Sequence, residues 1–137
     1  MTLAWHGKEF ERVVRKNVEQ LVGTAAIILQ TRMKQQLSHR GAGTWYKGNP
    51  APSSAPGQPP AVQTGNLRRS VQVDLSQQRA PNPTARVGTG IKYGFFLEFG
   101  TKHIAPRPWA RPSVELTRWT IEGLFTFNAL TKGYFKA

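Results

Sequence analysis

Apolar residues recur every third or fourth position near the start of the chain, which predicts one long amphipathic helix over residues 8–38. Charged and amide side chains lie mostly off this stripe, and Gly41 and Gly43 are credible stop signals. A helix this long in a small domain is expected to pack across a sheet or against a neighbouring subunit. The stripe consists of Phe10, Val14, Val18, Leu21, Ala25, Ile28 and Leu29.

The middle of the chain switches to a period of two. Val71, Val73 and Leu75 alternate with polar residues, which predicts a half-buried strand over residues 67–76. Residues 84–89 predict a second short strand, antiparallel to the first.

A short apolar segment follows the strands. Residues 93–99 are mostly aromatic or large and apolar, and their spacing favours a short helix or bend. Gly100 can take the positive φ that ends such a turn. We expect these aromatic residues to pack in a core rather than to stack on bases, because they are clustered.

The last predicted element is a helix over residues 113–130. Ser113 is the expected N-cap, and Glu115 lies in the first turn, where the helix dipole favours an anion. Residues 131–137 are expected to fray. One side of this helix consists of Val114, Thr117, Ile121, Leu124, Phe125 and Asn128.

Two proline-rich segments separate these elements. Residues 41–63 hold half of the ten prolines, a composition that cannot order itself by burial alone. Trp45 and Tyr46 either pack back on the domain or belong to an arm that a partner orders. Residues 101–112 form a second such loop.

The order of these elements predicts a single α+β domain over residues 1–137. A long N-terminal helix and a C-terminal helix pack on a small antiparallel sheet, and a long Pro/Gly-rich loop joins them. The sheet and the bend occupy residues 64–100.

Charge adds a bias toward anionic partners. Nineteen basic and seven acidic residues give a formal charge of +12. Because no block of five like charges occurs, we favour a generally basic surface in an assembly, with a nucleic-acid-binding protein as the alternative. The longest apolar run, residues 25–29, is too short to cross a membrane, and the N-terminus lacks a signal-peptide pattern.

Candidate catalytic chemistry is sparse. The chain has no cysteine, and its three histidines are isolated, so we expect no metal site and no cofactor. No nucleophile elbow or phosphate loop occurs, and we expect no enzyme. Glu98 is unusual because aromatic residues flank it. We expect it to pair with Arg107, Arg111 or a neighbouring subunit, and a role in acid–base catalysis is the alternative.

Three motifs in fixed order carry a resemblance to a known family. They are residues 55–61 (Ala-Pro-Gly-Gln-Pro-Pro-Ala), residues 64–70 (Thr-Gly-Asn-Leu-Arg-Arg-Ser), and Tyr93 with residues 97–101 and 107–112. The chain thereby resembles the tail-component family of long-tailed phages and prophages, also called head–tail joining, neck or tail-completion proteins. It departs from the usual family pattern at Gln58, where a glutamate is common, and at Gly94, where alanine is common.

The resemblance implies a structural virion protein at the head–tail junction, assembled in the bacterial cytoplasm. It implies a hexameric ring stacked on a stopper, tail terminator or tail tube, with genomic DNA passing through the lumen without sequence-specific contact. Aromatic and arginine side chains are natural anchors for such contacts. The candidate subunit or partner interface comprises Trp45, Tyr46, Arg68, Arg69, Tyr93, Phe96, Glu98, Phe99, Arg107, Trp109 and Arg111.

Overall fold

The computed structural model describes residues 6–135 and has the predicted α+β architecture. Helices form both ends of the described chain, and a two-stranded antiparallel sheet lies between them. None of the described helices is long and apolar enough to span a bilayer. In chain order the elements are α1 (Gly7–Gln36), α2 (Asn66–Ser70), β1 (Gln72–Asp74), β2 (Arg86–Gly88), α3 (Lys92–Phe99), α4 (Ala110–Glu122) and α5 (Phe127–Leu130).

Helix α1 is the long helix that the sequence predicts, and it begins and ends within two residues of the predicted bounds. Its buried residues are Gly23, Ala26 and Met33, which lie three or seven positions apart and so share one face. That face packs against α4, α5 and both strands. Helix α1 is therefore the element against which α4, α5 and the sheet pack.

The predicted strand over residues 67–76 is wrong at its first half. Residues 66–70 form the helical turn α2, and β1 is limited to residues 72–74. Gly65 adopts a left-handed φ of 76° and its carbonyl accepts the N–H of Arg69 at 3.0 Å, which starts a turn instead of a strand. The turn buries Leu67 in the core.

The sheet itself has the predicted antiparallel direction. Val73 pairs with Val87 at its centre, between the pairs Gln72–Gly88 and Asp74–Arg86. The second strand is shorter than the predicted residues 84–89.

One apolar cluster joins the elements. Met33 and Leu37 come from the end of α1, and Leu67, Val71 and Trp109 come from distant parts of the chain. Leu29, Val87, Leu97 and Ala110 pack around this cluster.

The C-terminal helix differs from its prediction at both ends. Helix α4 begins at Ala110, three residues before the predicted cap. Ser113 is not the N-cap: it is buried inside α4, where its hydroxyl donates to the carbonyl oxygen of Trp109. The helix ends at Glu122, before Gly123, and α5 starts afresh with the Thr126 hydroxyl accepting the N–H of Ala129.

The segment after α5 is ordered on the domain rather than frayed through residue 135. Thr131 is buried, and the Tyr134 ring packs edge-on against Phe10 with centroids 5.0 Å apart. The Asn17 amide of α1 donates to the carbonyl oxygens of Leu130 and Lys132, at 2.7 and 3.1 Å. Residues 136–137 of the predicted tail, like residues 1–5, lie outside the described residues.

Candidate interaction surfaces

Helix α3 turns its aromatic residues outward. Tyr93, Phe95, Phe96 and Phe99, here called the aromatic face, are each at least 44% exposed. The Phe95 ring lies 4.8 Å from the Phe99 ring and 6.0 Å from the Phe96 ring, between centroids. The expectation that this segment packs in a core is therefore wrong for its aromatic residues.

The inward side of α3 explains this orientation. Gly94 and Leu97, three positions apart, are the residues of α3 that meet the core. A Cβ added to Gly94 would lie 2.9 Å from Leu67 and 3.0 Å from Thr89, so the glycine permits close approach of the helix. Because the backbone of α3 lies this close to the core at Gly94, a bulky side chain would not fit there, and the aromatic side chains lie on the opposite side of the helix.

Gly100 ends α3 as the sequence predicts. Its φ is 75°, and its N–H donates to the carbonyl oxygen of Phe96 at 2.8 Å.

Glu98 projects from the end of α3 to the start of α4. Its carboxylate accepts the backbone N–H groups of Trp109, Ala110 and Arg111 at 2.7, 2.9 and 2.9 Å. These groups have no carbonyl partner within a helix, and the helix dipole favours an anion beside them. In the described chain Glu98 forms no ion pair with Arg107 or Arg111, so within one subunit that expectation is wrong.

Trp109 belongs to the core rather than to a surface. It is 4% exposed, and its indole N–H donates to the carbonyl oxygen of Gly94 at 3.0 Å. Its side chain is therefore not accessible to a second subunit in this conformation, which corrects its assignment as an interface anchor.

Arg107 fastens the proline-rich arm to the domain. Its guanidinium Nε donates to the carbonyl oxygen of Ser54 at 3.2 Å. Its backbone N–H donates to the carbonyl oxygen of Leu97 at 2.7 Å. Beside it, Gly57 N–H donates to the carbonyl oxygen of Pro106 at 2.9 Å. Arg107 thus has a role within the subunit, and residues 54–57 of the arm are docked on the second loop.

The other end of the arm projects outward. Gly43 N–H donates to Ser53 O at 2.8 Å and Ser53 N–H donates to Thr44 O at 3.0 Å, which closes a small hairpin-like loop. Trp45 is 63% exposed and Tyr46 55% exposed on this loop, here called the tip (residues 45–50). Trp45 and Tyr46 are thus mostly exposed rather than packed into the domain, whereas residues 54–57 of the same arm are docked on it.

The remaining candidate arginines are exposed. Arg68 donates to the Ser38 hydroxyl at 3.2 Å and Arg69 to the Asn66 amide oxygen at 2.6 Å, and neither meets a carboxylate within residues 6–135. Arg111 lies 3.7 Å from Glu115, but both side chains are exposed, so this pair contributes little to stability.

A second exposed apolar surface lies on α4 and was missed by sequence reasoning. Trp119 is 81% exposed, and Leu116 and Val114 are each about half exposed. The sequence pattern groups Val114 with Thr117 on one side of the helix, yet Thr117 is buried beside Ser113 whereas Val114 is exposed. The signal was available: Leu116 and Trp119 lie off the predicted stripe, three positions apart, and so neighbour each other on the outer side.

Electrostatic perturbations are confined to the exposed surface. The pKa of Asp74 is lowered because its carboxylate accepts the backbone N–H and then the hydroxyl of Ser76. The pKa of Arg118 is raised because its guanidinium donates to Glu122 at 2.9 Å. Neither group touches the aromatic face. Within residues 6–135 no three His, Asp or Glu side chains approach closely enough to hold a metal ion.

These observations define a class. A small α+β domain that buries a modest core, and turns aromatic side chains outward on two helices and a loop, is of the kind that acts by contact with other macromolecules.

A comparison with known protein families identifies the family within this class. The chain belongs to the family described as "Bacteriophage HK97-gp10, putative tail-component", whose model matches residues 7–100, more than half of the chain. The resemblance carried by the sequence motifs is thereby confirmed, and the protein is a structural phage protein of the virion tail. The matched segment runs from α1 to the end of α3, so it includes the arm and the aromatic face. No curated protein and no solved structure matched the chain significantly.

Proposed function

We propose that this protein is a non-enzymatic subunit of the head–tail connector, a neck or tail-completion ring through which the phage genome passes. The observation that carries the proposal is the presence of exposed aromatic surfaces on two different helices, α3 and α4. A ring closes through head-to-tail contacts, and each subunit then needs two different surfaces that fit each other. A symmetric dimer would need only one.

The proposal treats residues 1–137 as one domain and the ring as a hexamer. A single apolar cluster that draws on α1, α2 and α4 supports the first statement. The resemblance to neck and tail-completion proteins supports the second, and it also supports stacking on a stopper, tail terminator or tail tube.

The interface assignment changes with the structure. Trp109 and Arg107 stabilise the subunit itself, and Glu98 joins two of its helices. The residues proposed to contact other subunits or phage proteins are now Trp45, Tyr46, Arg68, Arg69, Tyr93, Phe96, Phe99 and Arg111, with Phe95, Leu116 and Trp119 added.

The mass of the purified protein in solution tests the ring. Light scattering at low and high salt is expected to give a discrete species of about six times the 15.3 kDa chain mass. A double variant, Phe95→Ser with Phe99→Ser, is expected to shift that species to the monomer without loss of helical circular dichroism. A matched variant, Ile27→Ser, changes another exposed apolar residue outside both surfaces and should leave the mass unchanged.

Three results would contradict the proposal. The first is a monomeric mass for the unchanged protein. The second is a mass that the double variant and Ile27→Ser change equally. The third is antibody labelling of whole virions along the tail or on the head, away from the junction.

A basic nucleic-acid-binding protein is the second candidate, and the formal charge of +12 favours it. Its signature would be tight binding to DNA by the monomer.

A further inference from the structure

A groove runs between the arm and the body of the domain. Its volume is about 470 Å³, within the range of sites that hold small ligands or a few residues of a peptide. Leu37 and Leu67 line it, and both belong to the buried core, so the groove reaches down to the core surface. Tyr46 and Ile104 line it as well and are about half exposed. The groove therefore has an apolar floor and a solvent-exposed margin.

The charge of the groove has one sign. Within the described chain, no aspartate or glutamate lines it, whereas Arg68, Arg107 and His103 do. Arg68 is exposed, and within residues 6–135 its guanidinium donates to the neutral Ser38 hydroxyl and meets no carboxylate. Arg107 holds the Ser54 carbonyl through Nε, and its Nη1 makes only a long 3.5 Å contact with Ala105 O. Both guanidinium groups thus keep donor capacity for an anion.

A buried hydroxyl adds a further polar feature. Ser54 is 5% exposed, and its Oγ has no hydrogen-bond partner among residues 6–135. A buried hydroxyl without a partner is costly, and most such groups in folded proteins find one. Ser54 lines the same groove as the two arginines.

We propose that this groove binds an extended segment of another protein that places an aliphatic side chain next to a carboxylate. The aliphatic side chain packs on the Leu37 and Leu67 side, and the carboxylate meets Arg68 and Arg107. A nucleic acid fits less well for two reasons. Its phosphates would leave the apolar floor of the groove unfilled, and the basic side chains that line the groove are only two arginines and a histidine. The proposal goes beyond the ring, because it names a further partner and does not depend on subunit number, although Tyr93 of the aromatic face also lines the groove.

The test is a titration of the isotope-labelled full chain with short blocked peptides, followed by amide chemical shifts in NMR. The probe is acetyl-Leu-Glu-Leu-amide, compared with acetyl-Leu-Gln-Leu-amide and acetyl-Ser-Glu-Ser-amide. Shifts are expected to cluster at residues 53–54, 60–68 and 103–107, and both control peptides should bind at least about fivefold more weakly. Arg68→Gln should weaken the first peptide by about the same factor.

Arg79→Gln is the matched control, because Arg79 is also exposed and does not line the groove. The proposal is overturned by any of four results: no saturable binding up to about 10 mM, shifts spread over the whole basic surface, equal weakening by Arg68→Gln and Arg79→Gln, or tighter binding of oligothymidylate to the same residues. A monomeric protein that binds the peptide in the groove would support this inference while contradicting the ring, so the two proposals fail separately.

Discussion

Trp109 is the aromatic residue of the buried core cluster in the described chain. It packs with Met33, Leu67 and Val71 and donates its indole N–H to Gly94 O. Removing a buried side chain of this size leaves a cavity and abolishes the hydrogen bond to Gly94 O.

We therefore expect Trp109→Ala to lower the free energy of unfolding by about 3–5 kcal/mol, measured by urea denaturation with circular dichroism. Trp119→Ala removes the same side chain from a site that is exposed in the single subunit. In the monomeric Phe95→Ser, Phe99→Ser background it should change the free energy of unfolding by less than about 0.5 kcal/mol. Equal losses in the two variants would show that Trp109 is not a core residue.

Glu98 acts as a cap supplied from outside the helix that it stabilises. Its carboxylate takes three N–H groups at the first turn of α4, where no capping side chain comes from the helix's own N-cap, Trp109. Glu98→Gln keeps one oxygen acceptor and loses the negative charge. It should lower the free energy of unfolding by about 1–2 kcal/mol.

Glu115→Gln is the control for that measurement, since Glu115 also lies on α4 but is exposed and pairs only with exposed Arg111. A stability loss in Glu115→Gln as large as in Glu98→Gln would mean that charge on α4, rather than the cap, is responsible.

Sequence reasoning marked Glu98 as unusual but could not find its partners. A carboxylate between aromatic residues suggests an ion pair, and arginines stand nearby in sequence. The actual partners are backbone N–H groups, which every residue except proline carries and which leave no trace in the sequence. Trp109 was misassigned for a related reason: a tryptophan between two prolines in a loop gives no sign that it packs back on the core.

Among the secondary-structure elements, those that are long and have a clear hydrophobic period are the ones that the sequence predicts correctly. Helix α1 was placed to within two residues because its apolar stripe repeats over many turns. Helix α2 was read as strand, because five residues are too few to show a helical period and the alternation of Val71 and Val73 extends naturally backward. Composition alone predicts the arm, but its hydrogen bonds to Pro106 and Arg107 join segments about fifty residues apart and are not encoded locally.

The arm divides into two parts that should respond differently to deletion. Replacing the tip, residues 45–50, with two glycines keeps the Gly43–Ser53 closure and removes only exposed side chains. We expect the free energy of unfolding to change by less than about 1 kcal/mol. Deleting residues 54–58 removes buried Ser54 and the Gly57–Pro106 hydrogen bond and should destabilise the chain by more than about 2 kcal/mol.

Thermal unfolding followed by circular dichroism compares the two deletions. A tip replacement that unfolds as readily as the second deletion would place the tip in the folded core and contradict its role as an outward arm.

For the whole molecule, the net charge makes a prediction that separates passage of DNA from recognition of DNA. A lumen that lets the genome slide should bind it weakly and without sequence preference. We expect affinity for duplex DNA to fall steeply with salt, with a log–log slope that reports several phosphate contacts, and to be the same for unrelated sequences. Fluorescence anisotropy at a series of salt concentrations measures both.

A DNA affinity that survives high salt, or that differs by more than about tenfold between duplexes, would favour the nucleic-acid-binding alternative. The comparison should use the assembled species and the Phe95→Ser, Phe99→Ser variant side by side, since assembly multiplies the basic surface that one DNA meets.

The carboxylate bridge between α3 and α4 has a geometric consequence. In the proposed ring, the number of subunits would follow from the angle between the two surfaces that each subunit offers its neighbours, which we place on α3 and α4. Glu98 joins the last turn of one helix to the first turn of the other, so in that ring a single side chain would help to set the curvature. Loss of the Glu98 hydrogen bonds would let the angle between α3 and α4 vary, and rings with different numbers of subunits would result.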